Sequence, residues 1–396
     1  MQPTCNDDFK PFETGLAVSL ELASGSWKMA MSDGKRDNPA IKTVSSALAL
    51  ERLEQAIDEI EKVKAKWGLA RDVRTVVLYE AGQDGFWIAR ELMARGYEAV
   101  ICDPASIPVE RHARRAKTDR LDAIKLVRTL LAWLRGERER MRAIRIPAPA
   151  AEDQRQLSRD RGELQKEALQ HRDRMRKLLR TVGCWDSVDG DIGTRMAAGQ
   201  LRCYDGSPLP PNLLERLNRE CKRLAAVEEQ FHTLEKSLMG QLGEPERERI
   251  MALQRLKAVG AVGATRLVLE LFWRKFKNRR EVGASLGLVP QPYNSGVSEA
   301  DQGISKQANR RVRSLSIEMA WFWLRYQPDS AISRWYAQRM LGAGQSKRHK
   351  RIAIVAVARR LIIALWRYLE HGVVPEGAVL KAEKPGRTVM PSVAAA

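Results

Sequence analysis

The chain has 396 residues, enough for two or three domains and a sizeable core. Lysine and arginine number 68 against 49 acidic residues, and the resulting formal charge of +19 favours a polyanionic partner, nucleic acid first. Cys5, Cys102, Cys184, Cys203 and Cys221 are scattered, odd in number and without a CxxC pair, and the five histidines are dispersed. That usage argues against a disulfide framework and a zinc site, and for a reducing cytoplasm with the protein at the nucleoid.

Residues 1–14 form a polar N-terminal tail without an apolar signal core. Residues 15–145 alternate strand and helix patterns. Leu16–Leu22 and Trp27–Met31 are short apolar runs joined by Ala-Ser-Gly-Ser, which predicts a hairpin. Ser45–Trp67 reads as a helix, with Leu48, Leu50, Leu53, Ile57, Ile60 and Val63 on one face. Val73–Tyr79 predicts a buried strand, Gly85–Arg95 a helix, Tyr97–Cys102 a strand and Asp119–Arg135 a helix. This order predicts a mixed sheet with helices packed on it.

Residues 146–151, Ile-Pro-Ala-Pro-Ala-Ala, read as a linker. The middle region, 151–243, has heptad spacing at Leu157, Leu164, His171 and Leu178, with companions Arg161, Ala168, Met175 and Val182. A second run has Leu217, Leu224, Phe231 and Leu238, with Glu220, Val227 and Leu234, beyond an irregular stretch at 183–212. An antiparallel helical hairpin, a dimerising coiled coil and two ordinary amphipathic helices all fit that pattern. Residues 250–372 predict a helical C-terminal domain, opening with a Gly260/Gly263 turn of helix-hairpin-helix type, and 373–396 a disordered tail. Its most apolar stretch, Ile352–Trp366, is interrupted by Arg359 and Arg360, so no membrane span is expected.

Four carboxylates stand out. Asp119 and Asp122 share a helical face; alone, Asp119 reads as a helix cap and Asp122 as a solvated acid. Glu80 ends a buried strand next to Ala81-Gly82, a common place for a site in an α/β fold. Glu21 interrupts the apolar run Val18–Leu22 and faces either solvent or a metal. Together they form the oxygen-donor set that Mg2+ or Mn2+ takes in two-metal phosphoryl transfer.

Tyr79-Glu80-Ala81-Gly82, Ala116-Lys117-Thr118-Asp119-Arg120-Leu121-Asp122, Gly287-Leu288-Val289-Pro290 and Asn294-Ser295-Gly296 resemble, in order, the DEDD transposases of insertion sequences, the IS one-ten family. The resemblance spans about residues 15–372. It implies a RuvC-like domain of RNase H fold at 15–145, a coiled-coil middle and a C-terminal transposase domain bearing a serine nucleophile. It also implies DNA cutting and rejoining that inserts and excises an element, guided by a structured bridge RNA. Members act as oligomers, dimer or tetramer, in which the serine of one subunit meets the carboxylates of another. By position the metal-binding quartet is Glu21, Glu80, Asp119 and Asp122, and the nucleophile is Ser295, which by itself reads as a turn serine. Glu21 departs from the family's usual Asp, and its extra methylene shifts the ligand oxygens at an ion with strict octahedral geometry.

Three basic runs in the C-terminal region extend the charge argument: Arg274, Lys275 and Lys277; Lys306, Asn309, Arg310 and Arg313; and Lys347, Arg348 and Lys350. They are expected to hold phosphates and position nucleic acid without reading its sequence. Two other readings stand beside the transposase: a RuvC-type metal-dependent nuclease, which needs neither Ser295 nor the long C-terminal domain, and a decayed, non-catalytic nucleic-acid-binding copy, which Glu21 keeps open.

Overall fold

The structure, a computed structural model, describes residues 12, 14–107, 118–295, 298–305, 309–342 and 346–382. It divides into two compact units, 1–148 and 149–396.

The first unit runs β1 Leu16–Leu22, β2 Ser26–Ser32, β3 Ala40–Ser45, α1 Ala49–Lys66, β4 Thr75–Glu80, α2 Trp87–Ala94, β5 Glu98–Cys102, α3 Asp119–Leu134 and β6 Ala143–Ile144. The six strands form one sheet in the order β3-β2-β1-β4-β5-β6. The β1–β2, β2–β3 and β5–β6 pairs are antiparallel, and β1–β4 and β4–β5 are parallel. This mixed sheet is the RuvC-like, RNase H-type arrangement expected, with β6 as a short edge strand that its two residues did not announce.

Strand alternation sorts the side chains onto two faces. Leu16, Val18, Leu20, Val77 and Tyr79 pack with Leu53, Ala56 and Ile60 of α1 and with Ile88 and Leu92 of α2. Ala17, Ala30, Val76, Leu78 and Cys102 pack with Ala123, Leu126, Val127 and Leu130 of α3. Each large aliphatic side chain buried there contributes about 1.5–3 kcal/mol. Alanines at 17, 30 and 123 let α3 approach the sheet closely. The helix expected from Ser45 begins at Ala49 instead, because 40–45 pair as β3 on β2. Leu48 and Leu50, expected on its buried face, are 61% and 53% exposed.

The second unit opens with α4 Pro149–Arg180, α5 Ile192–Ala197 and α6 Pro211–Leu238. The linker is therefore shorter than expected, since Pro149 sits in the first turn of α4, where a missing N–H costs nothing. Arg161 Nε donates to Glu235 Oε1 at 3.0 Å and Arg174 Nη1 to Glu220 Oε2 at 2.8 Å, which makes α4 and α6 antiparallel neighbours within one chain. Leu164, Ala168, Met175, Leu217, Leu224 and Val227 fill their seam. The polar positions in the seam are matched to each other: buried His171 Nδ1 lies 2.7 Å from buried Glu220 Oε2. The irregular stretch closes the end of this hairpin and extends the same core with Val188, Ile192, Met196, Leu201 and Leu209.

The remaining elements are α7 Glu244–Arg255, α8 Ala261–Glu270, α9 Arg279–Ala284, β7 Pro290–Ser295, β8 Ser298–Ile304, α10 Arg310–Tyr326, α11 Ala331–Gly342 and α12 Lys347–His371. Among the described residues, no helix is long and apolar enough to cross a membrane. Two expectations change. The C-terminal region is not wholly helical: β7 and β8 form an antiparallel ribbon, where Pro290 and Pro292 are tolerated because two strands leave every backbone edge open on one side. The segment expected to be disordered from 373 is ordered as far as 382. Lys257 N donates to Val379 O at 3.0 Å and Lys381 N to Arg255 O at 2.7 Å, so this segment clasps the α7–α8 turn. The Gln327 amide, 1% exposed, donates to Lys257 O and Val379 O, and its oxygen accepts from Val379 N. The turn carries Ala258 at φ +80°, a conformation L residues rarely take, and the clasp holds it there.

Candidate active site

Glu21 and Glu80 end neighbouring parallel strands. Leu20 is in register with Tyr79, so the next residues, Glu21 and Glu80, lie side by side. Alternation fixes their direction. Ala17 and Ser19 face α3, and so does Glu21; Val76 and Leu78 face α3, and so does Glu80. Both carboxylates are half-buried.

The other two acids arrive on α3. Thr118 Oγ1 accepts from Leu121 N, so the capping role read for Asp119 belongs to Thr118. Asp119 and Asp122 both occupy the first helical turn, where negative charge is favoured. Asp119 is exposed and Asp122 half-buried. A buried hydroxyl holds that turn to the sheet: Ser19 Oγ donates to Ala123 O at 2.7 Å. Ser19 stands two residues before Glu21, and Ala123 directly follows Asp122. One hydrogen bond thus links the strand of one acid to the turn bearing two others. Sequence reasoning missed Ser19, although a serine on the Glu21 face of an apolar strand was the available signal.

The thiol of Cys102 lies beside the strand-end acids. It is in register with Glu80 on the α3 face. Burial pushes it up to about 12, and the nearby charges of Glu80, then Asp103 and Glu21, push the same way. The donor set is all carboxylate, which suits a hard divalent cation. Among the described residues, no three His, Cys, Asp or Glu side chains are drawn close enough to hold an ion. Register and alternation set Glu21 beside Glu80, and the Ser19 bond ties β1 to the start of α3, the helix that carries Asp119 and Asp122.

Ser295 belongs to the second unit. It ends β7 and pairs with Ser298 across the ribbon, so it is a strand-end residue at the hairpin tip.

Of the basic residues, Lys306 lies outside the described residues. Asn309 caps α10, its Oδ1 accepting from Arg311 N and Val312 N while Nδ2 donates to buried Glu270 at 3.3 Å. Arg310 is exposed, and Arg313 Nη1 donates to Leu286 O at 3.3 Å. Burial, then Arg310, lowers the Arg313 pKa. Lys275 and Lys277 are exposed, and Arg274 stacks over Trp273 and Phe276. Lys347, Arg348 and Lys350 are exposed in the first turn of α12, behind the Ser346 cap. Neither α10 nor α12 has an acid in its first turn. Cations at a helix N-terminus oppose its dipole, at about 0.3–1 kcal/mol each, unless an anion sits there.

The fold and the acids meet their relatives in known proteins. Residues 251–335 match the family described as "Transposase IS116/IS110/IS902 family". Residues 35–183 match a DEDD family described as "Transposase"; that span holds Glu80, Asp119 and Asp122 but not Glu21. The chain is 39% identical over 378 residues to y4rJ of Sinorhizobium fredii (strain NBRC 101917 / NGR234), whose given name proposes a transposase, covering 92% of this chain and 94% of that one. It is 23% identical to the transposase for insertion sequence element IS1328 of Yersinia enterocolitica, covering 76% of this chain and 85% of that one. It is 24% identical to the transposase for IS1111A of Coxiella burnetii (strain RSA 493 / Nine Mile phase I), covering 75% and 78%. With a relative this similar across nearly its whole length, and with both family regions in order, the chain belongs to the IS110 family of insertion-sequence transposases.

Proposed function

We propose that this transposase cuts and rejoins DNA through a covalent serine–DNA ester, inserting and excising its element as a homo-oligomer guided by a structured bridge RNA. The observation that supports the catalytic half is the register that sets Glu21 beside Glu80, with Ser19 bonding β1 to the start of the helix that carries Asp119 and Asp122. A divalent ion, Mg2+ or Mn2+, held by these four carboxylates would supply Lewis-acid stabilisation of the phosphoryl oxygens.

Ser295 is the nucleophile. Its hydroxyl oxygen attacks phosphorus, the bond to the leaving deoxyribose oxygen breaks, and that oxygen takes the serine's proton. The phosphoserine ester keeps the phosphodiester's energy, and an incoming deoxyribose hydroxyl later displaces the serine to rejoin the strands. Hydrolysis would lose that energy, which is why rejoining without a high-energy cofactor favours the ester. Arg310, Arg313, Lys347, Arg348 and Lys350 hold backbone phosphates at the starts of α10 and α12, joined by Lys306, Arg274, Lys275 and Lys277. Such contacts leave sequence choice to base pairing with the RNA.

The test is a denaturing gel of labelled element-end DNA. Wild type with Mg2+ should give a slow, protease-sensitive band, and Ser295→Ala should bind DNA yet give none. If Ser295→Ala still gives the band, another residue is the nucleophile. If wild type gives only free cleaved ends, the hydrolytic nuclease is the better reading. Sequencing RNA co-purified from the native host tests the guide: a discrete RNA encoded beside the gene is expected.

A further inference from the structure

The same face of the sheet carries a cation that the reading above leaves unused. On β2, Trp27, Met29 and Met31 pack toward α1 and α2, whereas Ala30 packs toward α3. Lys28, between Trp27 and Met29, therefore projects to the α3 side. Its register partner on β1 is Glu21, and on β3 it is Thr43. With Glu21 beside Glu80, and Glu80 opposite Cys102, a single row crosses the sheet: Thr43, Lys28, Glu21, Glu80, Cys102. Adjacent strands lie about 4.8 Å apart, so the backbone of Lys28 is one strand from Glu21 and two from Glu80. The Lys28 Nζ donates to Thr43 Oγ1 at 2.6 Å, turned along the row away from the acids. Thr43 is exposed and neutral. It offers the ammonium a resting place that a charged acceptor readily outcompetes.

We propose that Lys28 is the phosphate contact of this active site, leaving Thr43 to meet a non-bridging oxygen of the DNA phosphodiester engaged at the carboxylates. Four acids gathered at one place repel a phosphodiester, and a lysine one strand away supplies compensating charge without occupying a ligand position. A lysine acts as a mobile point charge on a flexible stem, which suits a contact made only when substrate arrives. The inference rests on the active-site reading.

The experiment uses the full chain. Affinity for a labelled duplex DNA is measured across salt concentrations, and Mn2+ binding is followed by electron paramagnetic resonance. Lys28→Gln should flatten the plot of log affinity against log salt by about 0.9, one phosphate contact, with Mn2+ binding and melting temperature unchanged. Lys28→Arg should keep the wild-type slope. Glu80→Gln and Asp122→Asn should lose Mn2+ binding. If they lose it while Lys28→Gln keeps the full slope, Lys28 is only a surface lysine resting on Thr43 and the inference falls alone. If they retain it, the active-site reading falls, and the Lys28 inference with it.

Discussion

Removing the Ser19 hydroxyl should damage catalysis far more than stability. Ser19 is 0% exposed, and its Oγ makes the 2.7 Å bond to Ala123 O that joins β1 to the first turn of α3. Ser19→Ala deletes one buried hydrogen bond and leaves little cavity, so the cost should be about 0.5–1.5 kcal/mol. In a unit of this size that lowers the melting temperature by about 2–4 °C per kcal/mol. Catalysis reads position instead. A shift of about 1 Å in a reacting group can cost about 100-fold, and here the turn carrying Asp119 and Asp122 loses its tie to the strand carrying Glu21. Strand cleavage by Ser19→Ala should therefore fall between about 10- and 100-fold at a temperature where circular dichroism shows the protein fully folded. Ser19→Thr keeps a hydroxyl but adds a methyl group to a filled site, at about 1–3 kcal/mol, so it should show the larger melting shift. Wild-type cleavage by a folded Ser19→Ala protein would refute the reasoning: the helix would then hold its acids without the bond.

Other outcomes are expected. Asp119→Asn should abolish Mg2+-dependent cleavage while keeping the circular dichroism spectrum; cleavage at the wild-type rate would remove Asp119 from the site. Glu21→Asp should retain or raise activity, since it restores the family's usual ligand; a fully active Glu21→Ala would make Glu21 a bystander. Burial raises the Glu220 pKa, but hydrogen bonds from His171 and Arg174 outweigh it, and the folded value lies below the ordinary one. The stabilisation is thus fully present above the unfolded pKa of about 4.3 and lost as pH falls through the lower folded value. The gap in urea midpoint between wild type and Glu220→Gln should be constant at neutral pH and close under acid; a gap that widens there would contradict the assignment. Replacing Lys306, Arg310 and Arg313 by Ala should weaken binding to all DNA sequences alike and flatten the salt slope by about one unit per lost contact. A changed sequence preference at constant slope would show base reading instead.

Strands β1, β2, β4 and β5 were legible because they are apolar runs, whereas β3, with its exposed Lys42 and Thr43, and the two-residue β6 carry no such signal. What failed was local. Leu48 and Leu50 matched a helical spacing, but pairing of β3 with β2 delayed the helix and left them exposed. The irregular run at 183–212 and the segment at 379–381 carry no periodic signal, since contacts distant in sequence order them. At the site, residue type and position pointed to Glu21, Glu80, Asp119 and Asp122. Ser19 and Lys28 stayed hidden because their meaning depends on which residues the strand register sets opposite them.

The clasp at the end of the described chain makes assembly of the second unit depend on the order of synthesis. Lys381 Nζ donates to Val259 O at 2.7 Å across a separation of 122 residues. On the ribosome, the strained turn at Ala258 emerges long before its partners, so that region stays unfinished until translation has passed Lys381. A chain interrupted after α8 but before Lys381 would keep the α7 and α8 sequences and lack the Lys381 bond to the turn between them. Truncations ending just before Val379 and just after Lys381 should therefore differ in the stability of the second unit.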